Sequence, residues 1–123
     1  MKVIRAKEMG MCFGVRDALR VTDAVSDPGQ VTIHGELVHN SEITSGLAQR
    51  GFHQSPEDDR HRVPETPLLL ITAHGISDAE RGRLDAANKE LIDTTCPLVR
   101  RVHEAAQQLQ ADGRHVEIGR AHV

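Results

Sequence analysis

The stretch Glu90-Leu91-Ile92-Asp93-Thr94-Thr95-Cys96-Pro97-Leu98-Val99 changes its period halfway along. Glu90-Leu91-Ile92 has the short apolar character of a strand. From Leu98 onward the apolar positions Leu98, Val99, Val102, Ala105, Ala106 and Leu109 follow the spacing of one buried helix stripe. Pro97 suits the first helical position, where its missing N–H would have no partner in any case. Cys96 therefore stands where a strand ends and a helix begins. Free N–H groups and a partial positive charge there suit a thiolate, either as a ligand or as a nucleophile.

The same alternation runs outward from this point in both directions. Leu68-Leu69-Leu70-Ile71-Thr72 is a continuous apolar run, as expected of a strand covered on both faces. Ala73-His74-Gly75-Ile76 forms the next loop. Ser77-Asp78-Ala79-Glu80 has the form of a capping box and starts a helix with Leu84 and Ala87 on its inner side. Upstream, Val31-Thr32-Ile33-His34 reads as a strand, and Gly35 to Ser41 as a loop. Asn40 or Ser41 caps a helix carrying Ile43, Leu47 and Ala48, which Gly51 closes. Val15, Ala18, Leu19, Thr22 and Val25 predict an earlier helix. Val3-Ile4-Arg5-Ala6 and Arg114-His115-Val116-Glu117-Ile118 read as a first and a fifth strand. The polar segment from His53 to Pro67 is a surface connection with room for one short strand. The pattern predicts a single three-layer α/β domain over 1–123, with a mostly parallel sheet of four to five strands flanked by helices.

Composition narrows the function classes. The chain has 123 residues, 38% hydrophobic and 27% charged, with a net charge of −3. That suits one globular domain rather than a disordered chain. No apolar run approaches the ~20 residues of a membrane span, and the N-terminus lacks the apolar stretch of a signal peptide. The cytoplasm is the expected location. With no Trp or Tyr and two Phe, and no basic stripe, nucleic-acid binding by base stacking is not expected. The two cysteines form no C-x-x-C pair, and a structural disulfide is not expected in a reducing compartment.

In a parallel sheet all strand-to-helix loops share the edge at which ligands bind. Those loops carry Cys12, His39, His74 and Cys96, with His122 after the last strand. Each residue alone has an ordinary structural explanation, a cysteine as a small buried hydrophobe and a histidine as a solvated or backbone-bonded loop residue. His34, His53, His61, His103 and His115 keep that explanation. The capping box at Ser77 is read as structural only, and Gly14 and Gly75 as relief at tight turns. The five at one edge suggest more. Thiolates suit a soft metal or an iron–sulfur cluster, and imidazoles beside helix N-termini suit phosphate.

Met11-Cys12-Phe13-Gly14-Val15, Leu37-Val38-His39-Asn40, Thr72-Ala73-His74-Gly75-Ile76-Ser77 and Asp93-Thr94-Thr95-Cys96-Pro97-Leu98-Val99 together resemble, in order and spacing, the motifs of the 4-hydroxy-3-methylbut-2-enyl diphosphate reductase family, also called IspH or LytB. The resemblance implies the last step of the methylerythritol phosphate route to isoprenoids. There an allylic diphosphate loses its hydroxyl reductively, giving isopentenyl and dimethylallyl diphosphates. It implies an oxidoreductase with a [4Fe–4S] cluster on three cysteines, supplied with two electrons by a ferredoxin or flavodoxin. Cys12 and Cys96 match two cluster ligands, and His39 and His74 match two diphosphate-binding histidines. Gly119-Arg120-Ala121-His122-Val123 resembles the start of a further motif, displaced by about one residue, so His122 is a further diphosphate candidate. The resemblance covers the first of the family's three similar α/β domains. The third cysteine is absent, and the family's catalytic glutamate would lie beyond Val123. The alternatives are a non-catalytic domain that binds a diphosphate or a cluster, and a stable α/β domain with no ligand.

Overall fold

In the computed structural model, residues 2–5, 7, 10–117 and 119 are described. His122 lies outside them. Four helices, α1 (Phe13–Asp23), α2 (Ser41–Gln49), α3 (Asp78–Ala86) and α4 (Pro97–Ala111), accompany four strands, β1 (Val31–His34), β2 (His53–Ser55), β3 (Leu68–Ile71) and β4 (Glu90–Asp93). The strands form one sheet in the order β2-β1-β3-β4, and every pairing is parallel.

The central strands are buried on both faces, and the alternation of their side chains sorts the core into two clusters. Val31, Ile33 and Leu70 meet Ala18 of α1 and Leu47 of α2, with Leu37, Phe52 and Ala73 completing that side. Leu69 and Ile71 point the other way, onto Leu84 of α3. Each fully buried side chain of this size contributes about 1.5–3 kcal/mol of transfer free energy. Two of the helices, α2 and α3, begin where polar side chains take up their free N–H groups. Asn40 accepts from the amides of Glu42 and Ile43, and Ser77 from that of Glu80. Gly51, at φ +100°, lets the chain leave α2 in a left-handed turn. No helix among the described residues is long and apolar enough to cross a membrane.

Three sequence expectations are corrected. Lys2–Arg5 and Arg114–Glu117 are not strands, and Ala6 and Ile118 lie outside the described residues. Val3 and Ile4 are largely exposed, at 78% and 82%. β propensity without a neighbouring ladder does not make a strand. The polar connection does contain one short strand, β2, so the sheet has four members. The stripe on α4 is not buried either, since Leu98, Val102 and Leu109 all stand exposed. Its periodicity is that of a packed helix, but no element among the described residues covers it.

Candidate functional site

The carboxyl ends of β1, β3 and β4 lead directly into α2, α3 and α4, so the loops between them share one edge. The start of α1 reaches the same place. A Cβ built on Gly14 would lie 2.8 Å from Sγ and 2.9 Å from Cβ of Cys96. Gly14 sits inside α1, so its role is close approach, not relief of a turn. The glycine brings the Cys12 end of α1 against the Cys96 loop. Cys12 and Cys96 are the N-cap residues of α1 and α4, yet neither side chain makes a capping hydrogen bond. Both thiols are free, Cys12 exposed and Cys96 half-buried.

The Asp93–Pro97 turn is fixed by its own residues. Asp93 Oδ1 accepts from the backbone N–H of Thr95 at 2.9 Å and from its hydroxyl at 2.5 Å. Asp93 Oδ2 pairs with Arg81 at 2.6 Å and with Arg100 at 3.3 Å. Burial opposes the charge on Asp93, but the two hydrogen bonds from Thr95 and the Arg81 guanidinium outweigh it and hold the carboxyl below its ordinary range. Thr94 donates its hydroxyl to Ile71 O at 2.6 Å and its amide to the same oxygen at 3.1 Å. Cys96 N–H then donates to Ala73 O at 3.0 Å. The pairing of β3 with β4 is thereby carried past both strand ends, into the loop that holds His74.

His74 and His39 meet across the edge. Their ring centroids are 5.6 Å apart, and the planes are inclined at 34°. Both residues are exposed. His39 Nδ1 lies 2.6 Å from Glu36 Oε2. Gly75, at φ +76°, supplies the left-handed turn after His74 and leaves room for Thr95, whose Cγ2 would be 3.1 Å from a Cβ there.

Two polar features went unread in the sequence. Glu80, expected to close a capping box, leaves that task half done: Ser77 receives its amide, but its own carboxylate turns to the buried His34 at 2.6 Å. His103, expected on an outer helix face, has its ring edge beside Gly75, at 3.5 Å from a Cβ built there. Among the described residues no group of three or more His, Cys, Asp or Glu side chains is arranged to hold a metal ion. Cys12 and Cys96 are thus two free thiols at this edge.

The structure is thus a parallel α/β unit with two free thiols and two facing imidazoles at the edge formed by the carboxyl ends of its strands. The chain belongs to the LytB protein family, whose profile matches residues 3–122. It is 31% identical to a 4-hydroxy-3-methylbut-2-enyl diphosphate reductase of Pseudothermotoga lettingae, over 96% of this chain and 43% of the relative. It is 35% identical to the reductase of the same name from Hahella chejuensis, over 98% of this chain and 38% of the relative. Among solved structures it is similar to the (E)-4-hydroxy-3-methyl-but-2-enyl diphosphate reductase described as the terminal enzyme of the non-mevalonate pathway, with a TM-score of 0.70 and 30% identity, covering 90% of this chain and 39% of that one. It also matches the reductase of Plasmodium falciparum, with a TM-score of 0.73 and 29% identity, covering 86% and 33%. The chain thus spans about 40% of the length of the relatives it matches.

Proposed function

We propose that this chain forms the N-terminal α/β domain of a 4-hydroxy-3-methylbut-2-enyl diphosphate reductase and carries part of its active site. In this reading Cys12 and Cys96 ligate a [4Fe–4S] cluster, and His39 and His74 hold the diphosphate of the allylic substrate. The observation that carries it is the convergence of free thiols and facing imidazoles at one sheet edge. The donor set fits: two uncapped thiols at helix N-termini suit a soft, thiolate-bound cluster. With two cysteines in the chain, the third ligand comes from residues outside it. The cluster, when bound, supplies the electrons that remove the hydroxyl, delivered to it by a ferredoxin or flavodoxin in the cytoplasm. His39 and His74 hold the diphosphate end of the substrate at the edge that the thiols share. His122 is a further diphosphate candidate.

A second reading is favoured by the two-thiol count alone: a domain that binds a diphosphate or a cluster without turnover. Anaerobic reconstitution of the full-length protein that contains this domain with iron and sulfide, followed by the visible spectrum and an assay of allylic diphosphate reduction, separates the two. Cluster absorption that is absent in Cys96→Ser, together with turnover, supports the reductase. Absorption without turnover supports the binding domain. A spectrum identical to that of Cys96→Ser sinks the cluster assignment.

A further inference from the structure

Behind His39 stands a chain of polar contacts that the motif itself does not contain. Glu36 Oε2 accepts from His39 Nδ1 at 2.6 Å. The backbone N–H of Glu36 donates to Glu57 Oε2 at 3.0 Å, and Glu57 Oε1 pairs with Arg60 Nη1 at 3.2 Å. Arg60 Nη2 donates in turn to the carbonyl of His34, the last residue of β1, at 3.0 Å. Gly35 lies between His34 and Glu36 at φ +96°. A Cβ there would collide with Glu57 Oε2 and come 2.9 Å from Arg60 Nε. The glycine therefore does two things: it turns the chain out of β1, and it leaves the space that the Glu57–Arg60 pair fills. The polar connection before β3 thus folds back as a brace on the loop that carries His39.

We propose that Glu36 is a positioning residue for His39, held in register by the Glu57–Arg60 brace, and that it fixes which ring nitrogen faces an anion. The inference rests on the diphosphate reading of His39 and deepens it. An ionised carboxylate only accepts, so its partner Nδ1 must carry the proton, and Nε2 is left as the nitrogen available to a ligand. A diphosphate oxygen also only accepts. A ring donating to both anions carries a proton on each nitrogen, and its two N–H groups leave the ring in different directions. Glu36 thereby sets both the tautomer and the rotation of the ring, much as the partner behind a metal-bound histidine does.

The test uses the chain with inorganic pyrophosphate as the probe, with affinity read by calorimetry and the His39 tautomer by 15N chemical shifts of its ring. The wild-type ring is expected to be protonated at Nδ1. Glu36→Ala loses that tautomer and binds pyrophosphate about three- to fivefold more weakly, the size expected of one partly exposed charge-assisted contact. Glu36→Gln, whose carbonyl still accepts, keeps the tautomer and recovers part of the affinity. Glu36→Ala adds no further loss to His39→Ala, because the two act through one ring. Glu36→Ala indistinguishable from wild type in both affinity and tautomer overturns the inference and leaves the diphosphate reading standing. A wild-type chain that does not bind pyrophosphate overturns the diphosphate reading itself, and the inference with it.

Discussion

Glu80, in the first turn of α3, places its Oε1 2.6 Å from Nε2 of His34, a β1 side chain with no solvent exposure. Forty-six positions separate the two residues. The contact joins the β1 strand end to the start of the helix that follows β3. It is a tie between layers in a place where apolar packing alone would leave an imidazole unpaired.

Glu80→Ala therefore removes the partner of a buried ring and leaves its nitrogen unsatisfied. The expected loss is about 1–3 kcal/mol, the cost of stranding a buried polar group. Urea denaturation measures it. His34→Leu combined with Glu80→Leu should cost less than Glu80→Ala, since both polar groups are then gone. If Glu80→Ala unfolds at the wild-type midpoint, the tie contributes nothing.

Gly14→Ala sets two effects against each other. Alanine favours an exposed helix interior by up to about 1 kcal/mol over glycine. Here, however, the added carbon would lie 2.9 Å from Cβ of Cys96, which cannot swing aside as a side-chain tip could. The clash is expected to win, lowering the melting temperature and abolishing cluster absorption after reconstitution. A variant with a raised melting temperature and normal absorption would show that the α1 start has slack against the Cys96 loop.

Asp93 makes the Cys96 turn sensitive to acid. Its carboxyl is held below its ordinary value, so the folded state binds the proton less readily than the unfolded chain does. The stabilisation is fully present above that value and is lost as pH falls through the lower folded value. Asp93→Asn should thus be less stable than wild type at pH 7, and the gap should narrow as the pH approaches 3. Denaturation midpoints measured across this range check the sign. A gap that is independent of pH would mean that the carboxylate's charge does not contribute.

Gly35→Ala forces a side chain into a left-handed conformation, at a cost of about 1–2 kcal/mol, and displaces the Glu57–Arg60 brace as well. Glu57→Gln, which loosens the brace without touching the backbone, should lose less stability. Thermal melts of the two variants rank the contributions. Equal losses would place the whole effect in the brace.

What the sequence made legible followed from local rules. The run Leu68–Ile71 announced a strand buried on both faces, and Asn40 and Ser77 announced their caps, because each signal is complete within a few residues. The edge that gathers His39, His74 and Cys96 followed from the alternation of strand and helix, whereas Cys12 reaches it through the Gly14 approach of α1 and not from a preceding strand. What remained hidden depended on long-range partners. Glu80 matches a capping box, and nothing local says that its carboxylate goes to His34 instead. Glu57 and Arg60 sit in a segment whose polarity resembles solvated loop, and their role depends on a fold-back onto Gly35. The α4 stripe was misread for the converse reason: periodicity identifies a face that can be covered, not the element that covers it.

The bond from Cys96 N–H to Ala73 O carries a mechanical consequence. It lies one residue before His74 and at the thiol-bearing residue itself, so the sulfur and the imidazole hang from the same rung. Neither backbone segment can drift without dragging the other. A backbone shift at Cys96 is passed to the loop that carries His74, and a shift at Ala73 to the residue that carries the thiol. The two loops are therefore held to a single backbone alignment.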